Sequence, residues 1–477
     1  MNNSENTIEP SGKKRSMIFL NIVITCIASS MLSTALTTAL PSIVQDFNIS
    51  VTMGQWLTSG YSLAMGIMMP LTAFLITRFP TRKLYIFGVL LTIAGLALCA
   101  VAPNFQFMML ARILQASGNG ILTAMSQVII LSIYPPHKRG TAMGWYGLSV
   151  GAAPVIAPTL VGIIVDAFNW RAIFYISISI MLISLVWAYF VFEDVLETAK
   201  KRFDMASFII SAFAFGGITL GIGNIGSAPF ISVHVLGVLL AGCIATLLFI
   251  YRQLHIEQPF LELRVLKNRN FTLSVIGSML LYLVMMGSSM IMPLYAQSIL
   301  GYSATVSGLV VLPGSMVMAV MSPFAGKIYD KLGMKLLFIL GASFMLASCL
   351  GMVFVTLQTS IWVASALNAL RCAAIGCLMM PLVTWGISNI SKELTAHGTA
   401  LLTSLRTVAG AIGTAVFVGI MMAVAHGSAQ GYGESASIHG LNITFLCMSI
   451  VTLLLLAVGI WGVRKQREKI GAANNMN

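Results

Sequence analysis

Residues 70–83, PLTAFLITRFPTRK, end a long apolar segment in a short basic turn, and residues 323–335, PFAGKIYDKLGMK, do the same in the second half of the chain. When the two turns are aligned at a constant offset, Pro70 aligns with Pro323, and basic residues of the first turn align with basic residues of the second. An apolar segment with one embedded arginine follows each turn, and a Gly-Thr-Ala stretch then begins the next segment. This repetition predicts two homologous helical bundles that rock about a site near the middle of a membrane.

Long apolar segments make up most of the chain, which is 58% hydrophobic and 9% charged, with a mean hydropathy of +0.91. That composition lies outside the range of soluble globular proteins. A helix needs about 20 apolar residues to cross the ~30 Å hydrocarbon core of a bilayer. The segments of sufficient length predict fourteen membrane helices, near residues 17–40, 54–77, 84–102, 106–133, 140–165, 172–192, 205–225, 232–251, 271–299, 306–326, 336–357, 361–388, 399–425 and 441–463.

The predicted helices divide the chain into five regions. A tail, 1–16, precedes a six-helix bundle, 17–192, and a linker with two additional helices, 193–270, separates it from a second bundle, 271–463. A second tail, 464–477, ends the chain. The prediction is an all-α membrane protein with two pseudo-symmetric six-helix bundles and two extra helices.

Most of the 27 Lys and Arg residues lie in loops on one side of the predicted helices, whereas Arg171 alone lies on the other side. The positive-inside rule therefore places both termini in the cytoplasm. The net charge of +13 is explained by membrane orientation, and no nucleic-acid partner is expected. The seven cysteines all fall in apolar segments without metal-ligand spacing, so neither a metal site nor a disulfide is expected.

Three arginines lie inside apolar segments that have no Asp, Glu or His near their middles. An arginine in hydrocarbon costs at least ~2.5–3.5 kcal/mol on insertion scales, so it should face a polar partner or a watery cavity. Two interpretations stay open: the wall of a substrate cavity, or an interhelical network that only positions helices. Under the first, the predicted cavity residues are Arg112, Gln115, Asn119, Tyr282, Met286, Asn368, Arg371 and Arg406.

Several short motifs occur in order along the chain: ALPSI at 39–43, QWLTSGY at 55–61, RILQASG at 112–118, GAAPVIAPTLVG at 151–162 and GLVVLPG at 308–314. Together they resemble the major facilitator superfamily, and within it the fourteen-span drug:proton antiporter group of the EmrB/QacA type. The resemblance covers nearly the whole chain. It implies the major facilitator fold and the export of amphipathic compounds by alternating access.

The resemblance also suggests which residues control the movement of the bundles. The fifth predicted helix carries the antiporter motif of this group, and the repeated basic turns combine membrane orientation with latches between the bundles. Asp330 is the carboxylate available to such a latch, whereas Thr77 in the first turn cannot form an ion pair, so the latch should be asymmetric. The predicted gating residues are Arg78, Arg82, Pro154, Pro158, Gly162, Asp330 and Lys331.

One departure from the family pattern concerns proton coupling. Members of this group usually carry an aspartate within the first helix, and alignment on residues 39–41 puts Leu32 there. The coupling candidates that remain are Asp46 and Asp166, near the outer ends of helices. A proton carrier needs a group that titrates near physiological pH. We therefore expect coupling that is weak or carried by the substrate's own ionisation.

The sequence predicts a secondary active transporter of the plasma membrane, of the multidrug efflux and antibiotic resistance type. No catalytic constellation or phosphate-binding loop occurs in the sequence, so an enzyme is not predicted and no cofactor is expected. The expected partners are a small amphipathic substrate, the lipid bilayer and protons, for a protein that acts as a monomer. Two alternatives remain: an exporter of an endogenous anionic amphiphile, such as a lipid or signalling nucleotide, and a membrane sensor that does not transport.

Overall fold

The computed structural model describes residues 12–196, 198, 203–223, 232–428 and 433–463. Fourteen long helices and no strand occur in these ranges. Short π-helical turns precede α8 and continue α9 and α14. The helices are α1 Gly12–Asp46, α2 Val51–Arg78, α3 Thr81–Ala100, α4 Phe105–Ile133, α5 Arg139–Ala167, α6 Ala172–Val191, α7 Met205–Gly223, α8 Val238–His255, α9 Arg269–Leu294, α10 Ala304–Leu332, α11 Met334–Val353, α12 Ile361–Ser388, α13 Thr395–Gly427 and α14 Ala436–Ala457.

Polar caps mark where several of these helices begin. The side chains of Ser50, Asn104, Asn268 and Ser303 each accept a hydrogen bond from a backbone N–H in the first turn of the following helix. That N–H has no partner within its own helix, so the cap stabilises the helix start. The range 17–40 predicted for α1 was too short at both ends, because polar residues outside the hydrocarbon continue a helix without breaking its backbone hydrogen bonds.

Three large apolar cores hold the described helices together, beside a small fourth one around Ala325. One lies within the first bundle and contains Leu57 and Met108. Another lies within the second bundle and contains Phe338 and Phe445. The third joins the two bundles at the ends of the helices next to the basic loops. Its members include Ile22, Tyr85, Ile130, Val383 and Leu401. The bundles are therefore packed against each other on the side assigned to the cytoplasm.

The two additional helices, α7 and α8, pack on each other, and α7 also packs on α2 and α13. An added Cβ on Gly217 would lie 2.7 Å from the Cα of Gly242, so the two backbones touch. At the cytoplasmic end, Arg252 donates hydrogen bonds to Asp204 at 2.9 and 3.1 Å. Burial disfavours the charged carboxylate, but hydrogen bonds from Arg252 and Ser207 outweigh it and lower the pKa of Asp204.

Candidate substrate cavity and inter-bundle contacts

A cavity of about 110 Å³ lies between the two bundles. Helices α1, α4 and α5 line it from the first bundle, and α9, α12 and α13 line it from the second. Its volume is below the ~150 Å³ of a cavity known to hold benzene. In this state the cavity is therefore smaller than a whole amphiphile. The polar lining includes Thr25, Ser29, Thr123, Gln127, Tyr146 and Tyr282.

Three of the eight predicted cavity residues line this cavity: Asn119, Tyr282 and Arg406. Their roles in binding remain a prediction. Met286 packs on α13, where an added Cβ on Gly410 would lie 2.8 Å from its Cγ. The predicted residues that do not belong to the described lining are Arg112, Gln115, Met286, Asn368 and Arg371.

Arg112 is fully buried between α2 and α4. Its Nε donates to the carbonyl of Leu57 at 3.2 Å, and its Nη1 donates to Oε1 of Gln115 at 2.6 Å. Its Cζ lies 4.0 Å from the centroid of the Tyr61 ring, and the amide of Asn119 donates to the Tyr61 hydroxyl. These contacts favour the interpretation of an interhelical network, which reaches the cavity only at Asn119.

Arg371 occupies the matching position in the second bundle and is also buried. Its Nη2 donates to Oδ1 of Asn368, and its Cζ lies 5.8 Å from the centroid of the Phe445 ring on α14. In both bundles, the embedded arginine thus donates to a side-chain amide that lies three residues away in the same helix. As with Arg112, the partners belong to the arginine's own bundle.

Arg406 differs from the other two arginines because it lines the cavity. It is only 5% exposed, and its Nη1 is buried without a hydrogen-bond partner among the described residues. Its Cζ, on α13, lies 4.9 Å from the centroid of the Tyr282 ring on the neighbouring helix α9. Arg406 therefore brings a positive charge to the cavity wall.

A carboxylate latch joins the bundles at the cytoplasmic end of α5. Asp330, near the end of α10, accepts hydrogen bonds from the backbone N–H of Gly140 at 2.8 Å, and from the backbone N–H and hydroxyl of Thr141 at 2.7 and 2.6 Å. The N–H groups at a helix start lack helical partners and carry partial positive charge, so an anion is stabilised there.

Close helix packing accompanies the latch. An added Cβ on Gly326 would overlap the carbonyl of Gly140, and one on Gly144 would lie 2.5 Å from the carbonyl oxygen of Ser322. Only glycine allows the backbones of α5 and α10 to approach this closely. In the first-half turn, the hydroxyl of Thr77 donates to the carbonyl of Phe74 in its own helix. The described contacts are therefore asymmetric between the two turns.

The other predicted gating residues occupy different environments. Arg82 donates from its guanidinium to the carbonyl of Tyr189 in the first bundle and from its backbone to Asp194, just after that bundle. Arg78 and Lys331 are exposed. Their gating roles remain predictions. Pro154, Pro158 and Gly162 belong to α5, but their side chains lie outside the described set.

The coupling candidate Asp46 lies in an ion pair at the outer end of the first bundle. It accepts a hydrogen bond from Arg171 at 2.7 Å and one from the indole of Trp170 at 3.2 Å, and so ties the end of α1 to the start of α6. Leu32, at the position of the family's aspartate, is buried. The side chain of Asp166 lies outside the described set. Coupling through either acid remains a prediction.

Sequence reasoning missed one buried titratable side chain, His397. The predicted helix started at residue 399, but α13 begins at Thr395 and places His397 within the membrane-spanning helix, 1% exposed. Its Nδ1 accepts a hydrogen bond from the backbone N–H of Glu262 at 3.4 Å. A buried ionisable side chain within a membrane-spanning helix is a further candidate for coupling.

Most of the polar cavity wall was also missed. Thr25, Ser29 and Tyr146 lie on helices for which the sequence shows no cavity signal. Gln127 could have been predicted. It lies four residues after Thr123 and eight after Asn119, and therefore near the same face of α4.

Comparison with known proteins identifies the family. Residues 19–414 match the model of the Major Facilitator Superfamily. The chain belongs to this superfamily. It is 38% identical over 448 residues to the MFS-type transporter YcnB of Bacillus subtilis, covering 94% of this chain and 95% of YcnB. It is 37% identical over 427 residues to the lincomycin resistance protein LmrB of Bacillus subtilis, covering 88% of this chain and 89% of LmrB.

A solved structure shows the same major facilitator fold. The proton:xylose symporter XylE, bound to 6-bromo-6-deoxy-D-glucose, superimposes with a TM-score of 0.63 at 15% identity, covering 94% of this chain and 97% of XylE. The predicted family and all-α membrane fold are confirmed. As a member of this superfamily, the protein is a multi-pass transporter of the plasma membrane and not an enzyme.

Proposed function

We propose that this major facilitator transporter exports amphipathic compounds by alternating access. The observation that carries the proposal is the cavity between two bundles that are packed together on the cytoplasmic side. Its wall combines hydroxyl and amide groups with apolar side chains, among them Leu122, Val150, Met379 and Met380. Such a wall suits a molecule with both polar and apolar parts, and methionine adapts to ligands of different shape.

Alternating access requires contacts that form in one state and separate in another. The Asp330 latch and the glycine contacts between α5 and α10 belong to the state that is closed toward the cytoplasm. They must separate before a compound can enter from the cytoplasm. Opening must also separate the part of the apolar core that joins the two bundles on this side, so the latch supplies only a part of the free energy that keeps it closed.

The outward direction rests on the relatives. LmrB carries the name of lincomycin resistance, and a membrane transporter that confers resistance does so by removing the compound from the cell. For energy supply, we propose weak coupling to protons, with Asp46 and His397 as the carriers to be tested. We further propose that the protein works as a monomer, because one chain contains both bundles and the cavity between them.

The test is uptake into everted membrane vesicles, in which export appears as uptake. We would measure radiolabelled lincomycin, a lipophilic cationic dye and an anionic amphiphile. Gly326→Leu should abolish uptake by separating α5 from α10. Gly419→Leu is the matched control, because an added Cβ there meets no atom within 4 Å. If the wild-type protein takes up none of the three compounds, export of amphiphiles is wrong and the non-transporting sensor becomes the better hypothesis.

A further inference from the structure

We propose that Arg406 anchors a monoanion subsite, at which the transporter binds the carboxylate or sulfonate head group of its amphipathic substrate. The proposal rests on the proposed export function and specifies the substrate class. Each of the three arginines in the membrane-spanning helices has one buried nitrogen without a partner among the described residues, but only Arg406 belongs to the described lining of the cavity.

The guanidinium of Arg406 has a free donor inside the cavity wall. The side chain is 5% exposed, and its Nη1 has no partner in the described part of the chain. No Asp or Glu belongs to the described lining, and the ion pairs found in that part of the chain involve other residues. A charged group buried without a partner is unfavourable, and an anionic ligand that accepts its hydrogen bonds relieves that cost.

Two polar atoms from the opposite bundle complete the subsite. The hydroxyl of Ser29 on α1 and Oε1 of Gln127 on α4 line the same cavity, and both are buried without a partner among the described residues. An oxygen of the ligand can accept from Ser29 as well as from Arg406, while Gln127 can accept from a donor next to the head group. A ligand held in this way contacts both bundles, which is the requirement for its binding to respond to their relative movement.

The wall restricts the charge of the head group. Arg406 is the single cation among the described lining residues, so a singly charged group is neutralised, whereas a phosphomonoester or nucleotide would retain unpaired negative charge. A cation is disfavoured because it would lie next to a guanidinium. The face of the Tyr282 ring, which could hold a cation, is already approached by Arg406.

Arg112 and Arg371 do not provide an equivalent subsite. Both donate to neighbouring side chains in their own bundle, Gln115 and Asn368, and neither belongs to the described lining of the cavity. Of the three embedded arginines, Arg406 alone therefore supplies a positive charge to the described lining of this cavity.

Head-group selectivity tests the proposal directly. The full-length transporter in lipid nanodiscs would be titrated with three nitrobenzoxadiazole-labelled six-carbon chains that end in a carboxylate, a primary amide or a trimethylammonium group. An excess of the same unlabelled chain corrects for partition into lipid. The variants are Arg406→Gln and Arg406→Lys, with Arg264→Gln as the matched control because that arginine is exposed, in the short 3₁₀ turn between α8 and α9. Thermal unfolding checks that each variant is folded.

We expect the wild-type protein to bind the carboxylate at least about tenfold more tightly than the trimethylammonium compound. Arg406→Gln should weaken carboxylate binding by about 10- to 100-fold, because hydrogen bonds to charged groups are the stronger ones. Binding of the amide should change little, Arg406→Lys should retain part of the selectivity, and Arg264→Gln should match the wild type.

Equal or tighter binding of the trimethylammonium compound by the wild-type protein would overturn the proposal, and this comparison needs no variant. Unchanged carboxylate binding by folded Arg406→Gln would overturn it as well. Transport in proteoliposomes separates the two proposals. If the amide is transported but no anion preference is found, export stands and the subsite is wrong. If the carboxylate binds through Arg406 but no compound is transported, the subsite stands and export is wrong.

Discussion

Replacing Asp330 by asparagine tests the latch that holds the cytoplasmic ends together. The carboxylate accepts three hydrogen bonds, at 2.8, 2.7 and 2.6 Å, from the start of α5. A hydrogen bond to a charged group contributes ~1.5–3 kcal/mol and a neutral one ~0.5–1.5 kcal/mol. Asparagine keeps one acceptor oxygen, so at least one of the three bonds is lost and each remaining bond is weakened by about 1 kcal/mol. The latch lies near the membrane surface, where water compensates part of the loss. We therefore expect a net loss of about 1–2 kcal/mol, or a 5- to 30-fold lower ratio of closed to open states.

The distance between the cytoplasmic ends of the bundles reports this ratio. Lys83 in the first bundle and Lys327 in the second are exposed and can be replaced by spin-labelled cysteines in a background without the seven native cysteines. Pulsed electron paramagnetic resonance then gives the distribution of distances between the labels. In Asp330→Asn, we expect a longer distance to gain population at the expense of the short one.

Two variants show whether the carboxylate acts through its hydrogen bonds. Thr141→Val removes the hydroxyl donor and keeps both N–H groups, so its effect should be about one third as large. Glu393→Gln removes an exposed carboxylate on the same membrane side and should leave the distances unchanged. A wild-type distance distribution in Asp330→Asn, or an equal shift in Glu393→Gln, would show that Asp330 does not hold the cytoplasmic ends together.

Three further predictions concern groups outside the latch. Arg112→Gln should lower the stability of the folded protein by about 1–3 kcal/mol, since two hydrogen bonds to a charged group are lost while the cost of burying that charge is removed; a stabilised variant in chemical denaturation would contradict this. Asp204→Asn should lower stability by about 1 kcal/mol at pH 7, and the difference from wild type should shrink as the pH falls below ~3.9 and vanish below the pKa of the folded state. The pKa of Asp204 is lowered by folding, so its contribution is present above the unfolded pKa of ~3.9 and is lost as the pH falls through the folded value. Melting temperatures from pH 7 to 3 decide this. Finally, a pH gradient across proteoliposomes should drive little accumulation of a permanently charged substrate, and strong accumulation that is lost in Asp46→Asn or His397→Gln would identify that residue as the proton carrier.

Helix positions were accessible from the sequence because hydrocarbon leaves the backbone few choices. A segment in the bilayer must satisfy its N–H and C=O groups internally, so an apolar run of sufficient length becomes a helix. The range 361–388 predicted for the twelfth helix matches α12, Ile361–Ser388. The basic loops predicted the orientation, and the repeated turns predicted the two bundles. Both features can be recognised in short stretches of sequence.

The roles of the arginines depended on how each helix is rotated within its bundle. Spacing along the chain places Arg112 and Gln115 on one face of α4, but it does not show what that face meets. Close packing decides this, because an added Cβ on Gly118 would lie 2.5 Å from the hydroxyl of Thr92. With that rotation, Arg112 contacts Tyr61 on α2, and the cavity receives Arg406 from α13.

The sequence by itself determined where the chain crosses the membrane, which side carries the basic loops and which polar residues are embedded, because these depend on composition over short stretches. Only the tertiary structure decided which polar groups meet. Asp330 and Thr141 are separated by 189 positions, and the cavity draws one or more side chains from each of six helices. Such contacts arise from helix rotation and from close packing of small residues. The periodicity of a single segment predicts neither of these.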